Sequence, residues 1–137
     1  MRIVDKFVWF YSVTHTRKIF KKKNYETALE VASVAYDKAI KVFGPKHLKT
    51  AQTCYNLVVI NAELRDFEEA EKYGLEAVKI MVDLRGESDF TLIEDLRNLQ
   101  SMYKKWGKDE KVDEIEQRIN KIMDIDDPEH EQMVVEE

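Results

Sequence analysis

Three histidines and one cysteine are the side chains in this sequence best suited to hold a metal or act as a nucleophile. His15, His47 and His130 stand far apart, and none keeps metal-ligand spacing with another or with Cys54. No glycine-rich phosphate loop and no nucleophile motif accompanies them. The acidic pairs Glu68-Glu69 and Asp126-Asp127 are sequence neighbours, which do not face each other on a helix. The residue types therefore argue for no enzyme, no metal and no cofactor. What remains is recognition chemistry. Arg17, Lys18, Lys21, Lys22 and Lys23, with Phe20 and Tyr25 among them, form a basic patch able to meet phosphates or stack on bases. A pI of about 5.3 and an acidic second half speak against nucleic acid as the partner.

The elements that position these groups are helices. With 4 Gly and 2 Pro in 137 residues and 36% charged side chains, the chain lacks the turn residues of a β-rich fold. Its 44% hydrophobic content is enough to bury a core. A single cysteine precludes an internal disulfide and fits a reducing, cytoplasmic setting. No apolar run approaches the roughly 20 residues that span a bilayer, so no membrane partner is expected. Phe7 to Val13 is apolar enough to suggest a signal peptide, but Asp5 precedes it and no small-residue cleavage site follows.

The chain repeats itself. Asn24-Tyr25-Glu26-Thr27-Ala28 returns 42 residues later as Asp66-Phe67-Glu68-Glu69-Ala70, and again at Lys108-Asp109-Glu110-Lys111-Val112. Ala35, Ala77 and Ile119 keep the same offset, as do Leu57 and Leu99, Asn56 and Asn98, and Gly44 and Gly86. Each unit reads as two amphipathic helices. Ala51, Cys54, Leu57, Val58 and Ile60 form one stripe, and Phe67, Ala70, Tyr73, Ala77 and Ile80 form the next. This predicts six helices, over 3–23, 25–43, 47–64, 66–84, 89–106 and 108–123. Repeat boundaries fall at 1–44, 45–86 and 87–123, with an acidic tail over 124–137.

The stretch GPKHLKTAQTCYNLVVINAELRDFEEAEKY, Gly44 to Tyr73, resembles the 42-residue tetratricopeptide repeat of kinesin light chains. LRNLQSMYKKWGKDE resembles it again, while the first unit keeps only its second helix well. His15 stands where that pattern has Leu, Arg65 where it has Gly, and Asp109 where it has an aromatic residue. Cys54 also occupies a Leu position, on the core stripe, and is expected as a buried small hydrophobe. Asp127-Pro128-Glu129-His130 is similar to the entry of a further repeat, a match that a solvated acidic tail also gives. The resemblance implies an all-α solenoid of three helix-turn-helix repeats that binds a protein or peptide and catalyses nothing.

By that resemblance the first helix of each pair lines a concave groove. Its positions are Phe10, Val13, Arg17 and Lys21; then Gln52, Tyr55, Asn56, Val59 and Glu63; then Glu94, Arg97, Asn98, Ser101, Lys104 and Lys105. Five basic and two acidic members imply a net positive face and an extended, acidic peptide as ligand. In relatives that clamp a chaperone's C-terminal carboxylate, five Lys, Asn and Arg residues do the work. Val13, Arg17, Asn56, Glu94 and Asn98 occupy those places here, and only Asn56 matches. Charge is also polarised. Residues 1–23 carry 7 basic and 1 acidic side chains, residues 108–137 carry 4 and 12. Head-to-tail stacking, or the tail folding onto the groove, would each bring opposite charges together. The first helix is apolar around most of its circumference, and Phe7, Trp9 and Phe10 mark it as a homo-oligomer or partner interface, or as a face that stacks on a preceding element. The alternative is that its aromatics fold inward over the first pair.

Overall fold

The computed structural model describes residues 3–126. It contains α1 (Ile3–Lys21), α2 (Tyr25–Phe43), α3 (Leu48–Glu63), α4 (Phe67–Arg85), α5 (Leu92–Trp106) and α6 (Asp109–Asp126). No strand occurs among the described residues. Consecutive helices pair as three hairpins; α2 then packs on α3, α4 packs on α5, and α3 touches α5. The expected helical repeat architecture is present.

The hairpin turns show the repeat at backbone level. Asn24 N–H donates to Ile19 O, Asp66 N–H to Asn61 O and Lys108 N–H to Tyr103 O, each closing a helix end with the same six-residue loop. The residue before each donor has positive φ: Lys23 at 62°, Arg65 at 61° and Gly107 at 79°. Only the third turn uses glycine, so the first two hold a Cβ in the left-handed region, where it crowds the following carbonyl. Asn24 and Asp66 then cap α2 and α4 by accepting from Thr27 N–H and Glu69 N–H.

Two boundaries differ from expectation by three residues, the others by two or fewer. α5 starts at Leu92 rather than residue 89, because the Asp89 carboxylate accepts the Thr91 N–H at 2.8 Å and the Thr91 hydroxyl, holding a turn there. α6 runs to Asp126, so the tail placed at 124–137 begins inside a helix. His130 and the Asp127–His130 motif lie outside the described residues.

Burial follows the period-3.6 stripes. Ala28, Ala32, Ala35 and Ala39 of α2 are buried to within about 1% exposure, a small-residue face that lets α1 and α3 approach closely. Gly74 does the same on α4: a Cβ there would lie 2.6 Å from Leu99 Cδ1 on α5. Leu57, Ile60, Leu92, Leu96, Met102 and Ile119 are large, fully enclosed side chains. The buried polar side chains are partnered. Asn61 donates to Leu57 O at 2.8 Å, and Gln100 donates to Val112 O at 3.1 Å.

Candidate partner-binding groove

The first helices of the hairpins, α1, α3 and α5, share one side of the stack, and recesses open between them. One, of about 450 Å³, is bounded by Trp9, Val13 and Arg17 of α1, by Gln52, Tyr55 and Asn56 of α3, and by Glu94, Asp95 and Asn98 of α5. Arg85 and Thr91, on either side of the α4–α5 loop, close one end, joined by a 3.0 Å hydrogen bond from the guanidinium to the hydroxyl. Two recesses of about 180 Å³ adjoin it. One lies over Arg17, Phe20, Asn56 and Val59, the other over Val59, Asn98, Ser101 and Lys105. Tyr55 lines all three.

Most of the groove residues expected from sequence are brought together here: Val13, Arg17, Gln52, Tyr55, Asn56, Val59, Glu94, Asn98, Ser101 and Lys105. The others are placed differently. Phe10, Lys21 and Lys104 are exposed and line none of these recesses. Arg97 turns toward α6, where its guanidinium donates to Glu116 at 2.7 Å and to Gln100 at 3.1 Å. Lys105 is held by Glu63 at 2.6 Å across the α3–α5 contact.

The electrostatics differ from the net positive face that a count of groove positions implies. Two of the five basic residues are engaged in ion pairs, and the main recess contains both Glu94 and Asp95. Asp95 was not among the expected groove residues. Burial, then the neighbouring Glu94, push its carboxyl up to about 6, with Arg85 opposing. Burial, followed by the same two carboxylates, raises the Tyr55 phenol above its usual range. A sequence signal for Asp95 did exist. The 42-residue register aligns it with Thr53, which sits on the inward side of α3. Arg85 and Thr91 gave no such signal, because they belong to a loop and not to a groove-facing helix.

Trp9 corrects the reading of α1 as an interface helix with three aromatic contacts. It is 8% exposed, its indole N–H donates to Thr53 Oγ1 at 3.2 Å, and it meets Phe43 edge-on at 5.0 Å. The Lys49 ammonium stands 4.8 Å from its ring centroid. Trp9 therefore ties α1 to the second hairpin, while Phe7 and Phe10 remain 66% and 64% exposed.

The candidate chemical residues have structural surroundings. Cys54 is fully buried, and burial, then Glu76, push its thiol far above the range of a reactive thiolate. His47 caps α3 by accepting the Lys49 N–H on Nδ1 at 3.0 Å. His15 stacks on Tyr11. Among the described residues no cluster of three or more His, Cys, Asp and Glu side chains has the geometry to hold a metal ion.

The tetratricopeptide repeat family model matches the chain, and the match holds over residues 19–81. The crystal structure of BtubC (BKLC) from P. vanneervenii superposes with a TM-score of 0.75 at 20% identity, over 84% of this chain and 46% of that one. The chain thus spans about half the length of that protein, and the likeness is one of fold. No curated protein matches the sequence. Tetratricopeptide repeats generally mediate protein–protein interaction, and the fold is typically non-catalytic. No helix among the described residues is long and apolar enough to cross a membrane.

Proposed function

We propose that the chain is a non-catalytic recognition module that binds an extended peptide of a partner protein along the α1–α3–α5 face. The observation that carries this reading is the run of three recesses around Tyr55, flanked by Asn56 and Asn98. A phenol ring gives an apolar platform at low entropic cost. Carboxamides can donate to and accept from a peptide backbone at once, which suits a ligand that brings no secondary structure of its own. Val59 extends the apolar floor toward Ser101.

The acidic character expected of the ligand is narrowed to the part that meets α1. Arg17 borders two recesses and Lys21 follows one turn later, whereas Arg97 is engaged by Glu116. At the α5 end, Glu94 and Asp95 favour donors or a basic side chain over a carboxylate. The proposed ligand is an extended peptide with an apolar anchor over Tyr55 and Val59 and its acidic residues toward Arg17.

Binding of a peptide library, read by fluorescence anisotropy, tests this. Tyr55→Ala and the pair Asn56→Ala with Asn98→Ala should each weaken a selected peptide about tenfold or more, roughly 1.4 kcal/mol. Arg17→Glu should reverse the preference for acidic residues, and Arg97→Glu should leave it intact. Peptides bound equally well by the Tyr55 variant would place recognition elsewhere.

A further inference from the structure

The 42-residue register exposes a face on α1 that is covered in the other two repeats. Val8, Tyr11 and His15 correspond to Thr50, Thr53 and Leu57 of α3, and to Leu92, Asp95 and Leu99 of α5. In the second repeat these positions are 0%, 1% and 0% exposed. Thr50 reaches Ala39 O of α2 at 3.5 Å, and Leu57 packs with Ala28 and Ala32 of the same helix. In the third repeat, Leu99 lies against Gly74 of α4. In both cases the second helix of the preceding hairpin supplies cover, joined at Thr53 by Trp9 of α1, while Asp95 stays half-buried at the recess.

On α1 Tyr11 is 58% exposed and Val8 and His15 are half-buried, while Val4 and Phe7, a turn nearer the start of the helix, are 68% and 66% exposed. Phe7, Tyr11 and His15 form a ladder of stacked rings, with centroids 6.4 and 5.5 Å apart. Exposed apolar side chains in one contiguous row are the usual mark of an interaction surface.

Charge selects the occupant. Residues 1–23 carry 7 basic and 1 acidic side chains, while residues 108–137 carry 4 and 12. A two-fold pairing of α1 with itself would set like charges against each other. The second helix of the last hairpin, α6, brings the opposite sign, with Asp113 and Glu114 exposed and Met123 48% exposed to meet the rings. Val112 and Met123 occupy the places that Ala70 and Met81 take on α4.

We propose that copies of the chain stack head to tail, α6 of one against the Val4–Phe7–Tyr11 face of α1 of the next, repeating between molecules the packing used between hairpins. Such a contact is heterologous, so each molecule keeps one free α1 face and one free α6 face, and assembly is open-ended. The surface is separate from the groove, and peptide binding does not depend on it.

Sedimentation of the full chain over a range of concentrations tests the proposal. The mass should climb through dimer and trimer without a plateau, and association should weaken about tenfold or more when salt is raised well past the roughly 10 Å screening regime. Tyr11→Glu should remain monomeric, and so should Asn120→Lys with Met123→Lys. Mixed together, these variants should form a one-to-one dimer and stop, because each supplies the face that the other lacks. Phe7→Glu gives a second α1 variant, and circular dichroism confirms that each is folded. A wild-type monomer at every concentration overturns the proposal. A closed dimer lost with Tyr11→Glu but indifferent to the α6 substitutions overturns it in favour of two-fold pairing through α1.

Discussion

Helices α1 and α5 hold equivalent places in the first and third repeats, yet they bury opposite kinds of residue. α5 encloses Leu92, Leu96, Leu99, Met102 and Tyr103 and shows Arg97, Ser101, Lys104 and Lys105 to solvent. α1 encloses Asp5, Trp9, Ser12 and Thr16 and exposes Ile3, Val4, Phe7, Phe10 and Tyr11. The contrast follows from their neighbours: α5 has α4 on one side and α6 on the other, while α1 is packed against α2. A helix in a stack draws its stability from both sides, and one covered on a single side needs a stronger anchor there. Trp9 and the Asp5 ion pairs to Lys38 and Lys41, at 3.0 and 3.5 Å, are that anchor.

The largest test of this comparison is Trp9→Ala. It removes the indole packing on Phe43 and the hydrogen bond to Thr53, and it should cost about 3–5 kcal/mol in chemical denaturation. Leu96→Ala on α5 should fall in the range of about 2–5 kcal/mol. A cost well under 1 kcal/mol at Trp9 would show that α1 is not anchored as described.

Acid titration should separate the two helices by sign. Asp95 of α5 keeps its proton to about pH 6 in the folded chain but releases it near about 4 when unfolded. Its contribution to stability is therefore complete below about pH 4 and is lost as pH rises through about 6. Asp5 of α1 is the reverse. The Lys38 hydrogen bond holds its carboxyl below the usual range, so its contribution is present above about pH 4 and is lost as pH falls further. Asp95→Asn should raise the melting temperature at pH 7 and flatten its dependence between about pH 4 and 6. Asp5→Asn should instead lower it at pH 7. Equal slopes for both variants would contradict these surroundings.

The turns that close the two helices offer a smaller contrast. Lys23, after α1, sits at φ 62°, whereas Gly107, after α5, sits at φ 79°. Lys23→Gly should stabilise the chain by about 0.5–1 kcal/mol, and Gly107→Ala should destabilise it by about 1–2 kcal/mol. The smallest expected effect is on the outer face of α1, where Phe7→Gln should change the stability of the monomer by less than about 0.5 kcal/mol. A large loss there would mean that the exposed rings support the fold itself.

The groove was partly legible in the sequence. Tyr55, Asn56 and Asn98 were placed by the resemblance, and the fixed period relates Asn56 to Asn98 because positions one repeat apart share a side of their helices. The direction of a long side chain does not follow. Arg97 belongs to a groove-lining helix, but its guanidinium reaches an acid on α6, a choice made by the distance to Glu116 rather than by position. Asp95 was missed because rules for helix faces treat Glu94 and Asp95 as adjacent polar residues. In the structure Asp95 is half-buried and Glu94 exposed.

The sequence by itself determined the class of fold and the hairpin count, since hydrophobic period, glycines and a 42-residue register are local properties of the chain. It also placed Cys54 inside, and the structure shows it fully buried. Tertiary structure alone decided that Trp9 turns inward while Phe7 and Phe10 stay out, that the basic groove is partly neutralised, and where α5 begins. The physical reason is the same each time. An amphipathic pattern says that a face is apolar or charged, but burial and pairing depend on which neighbouring helix comes within reach of it.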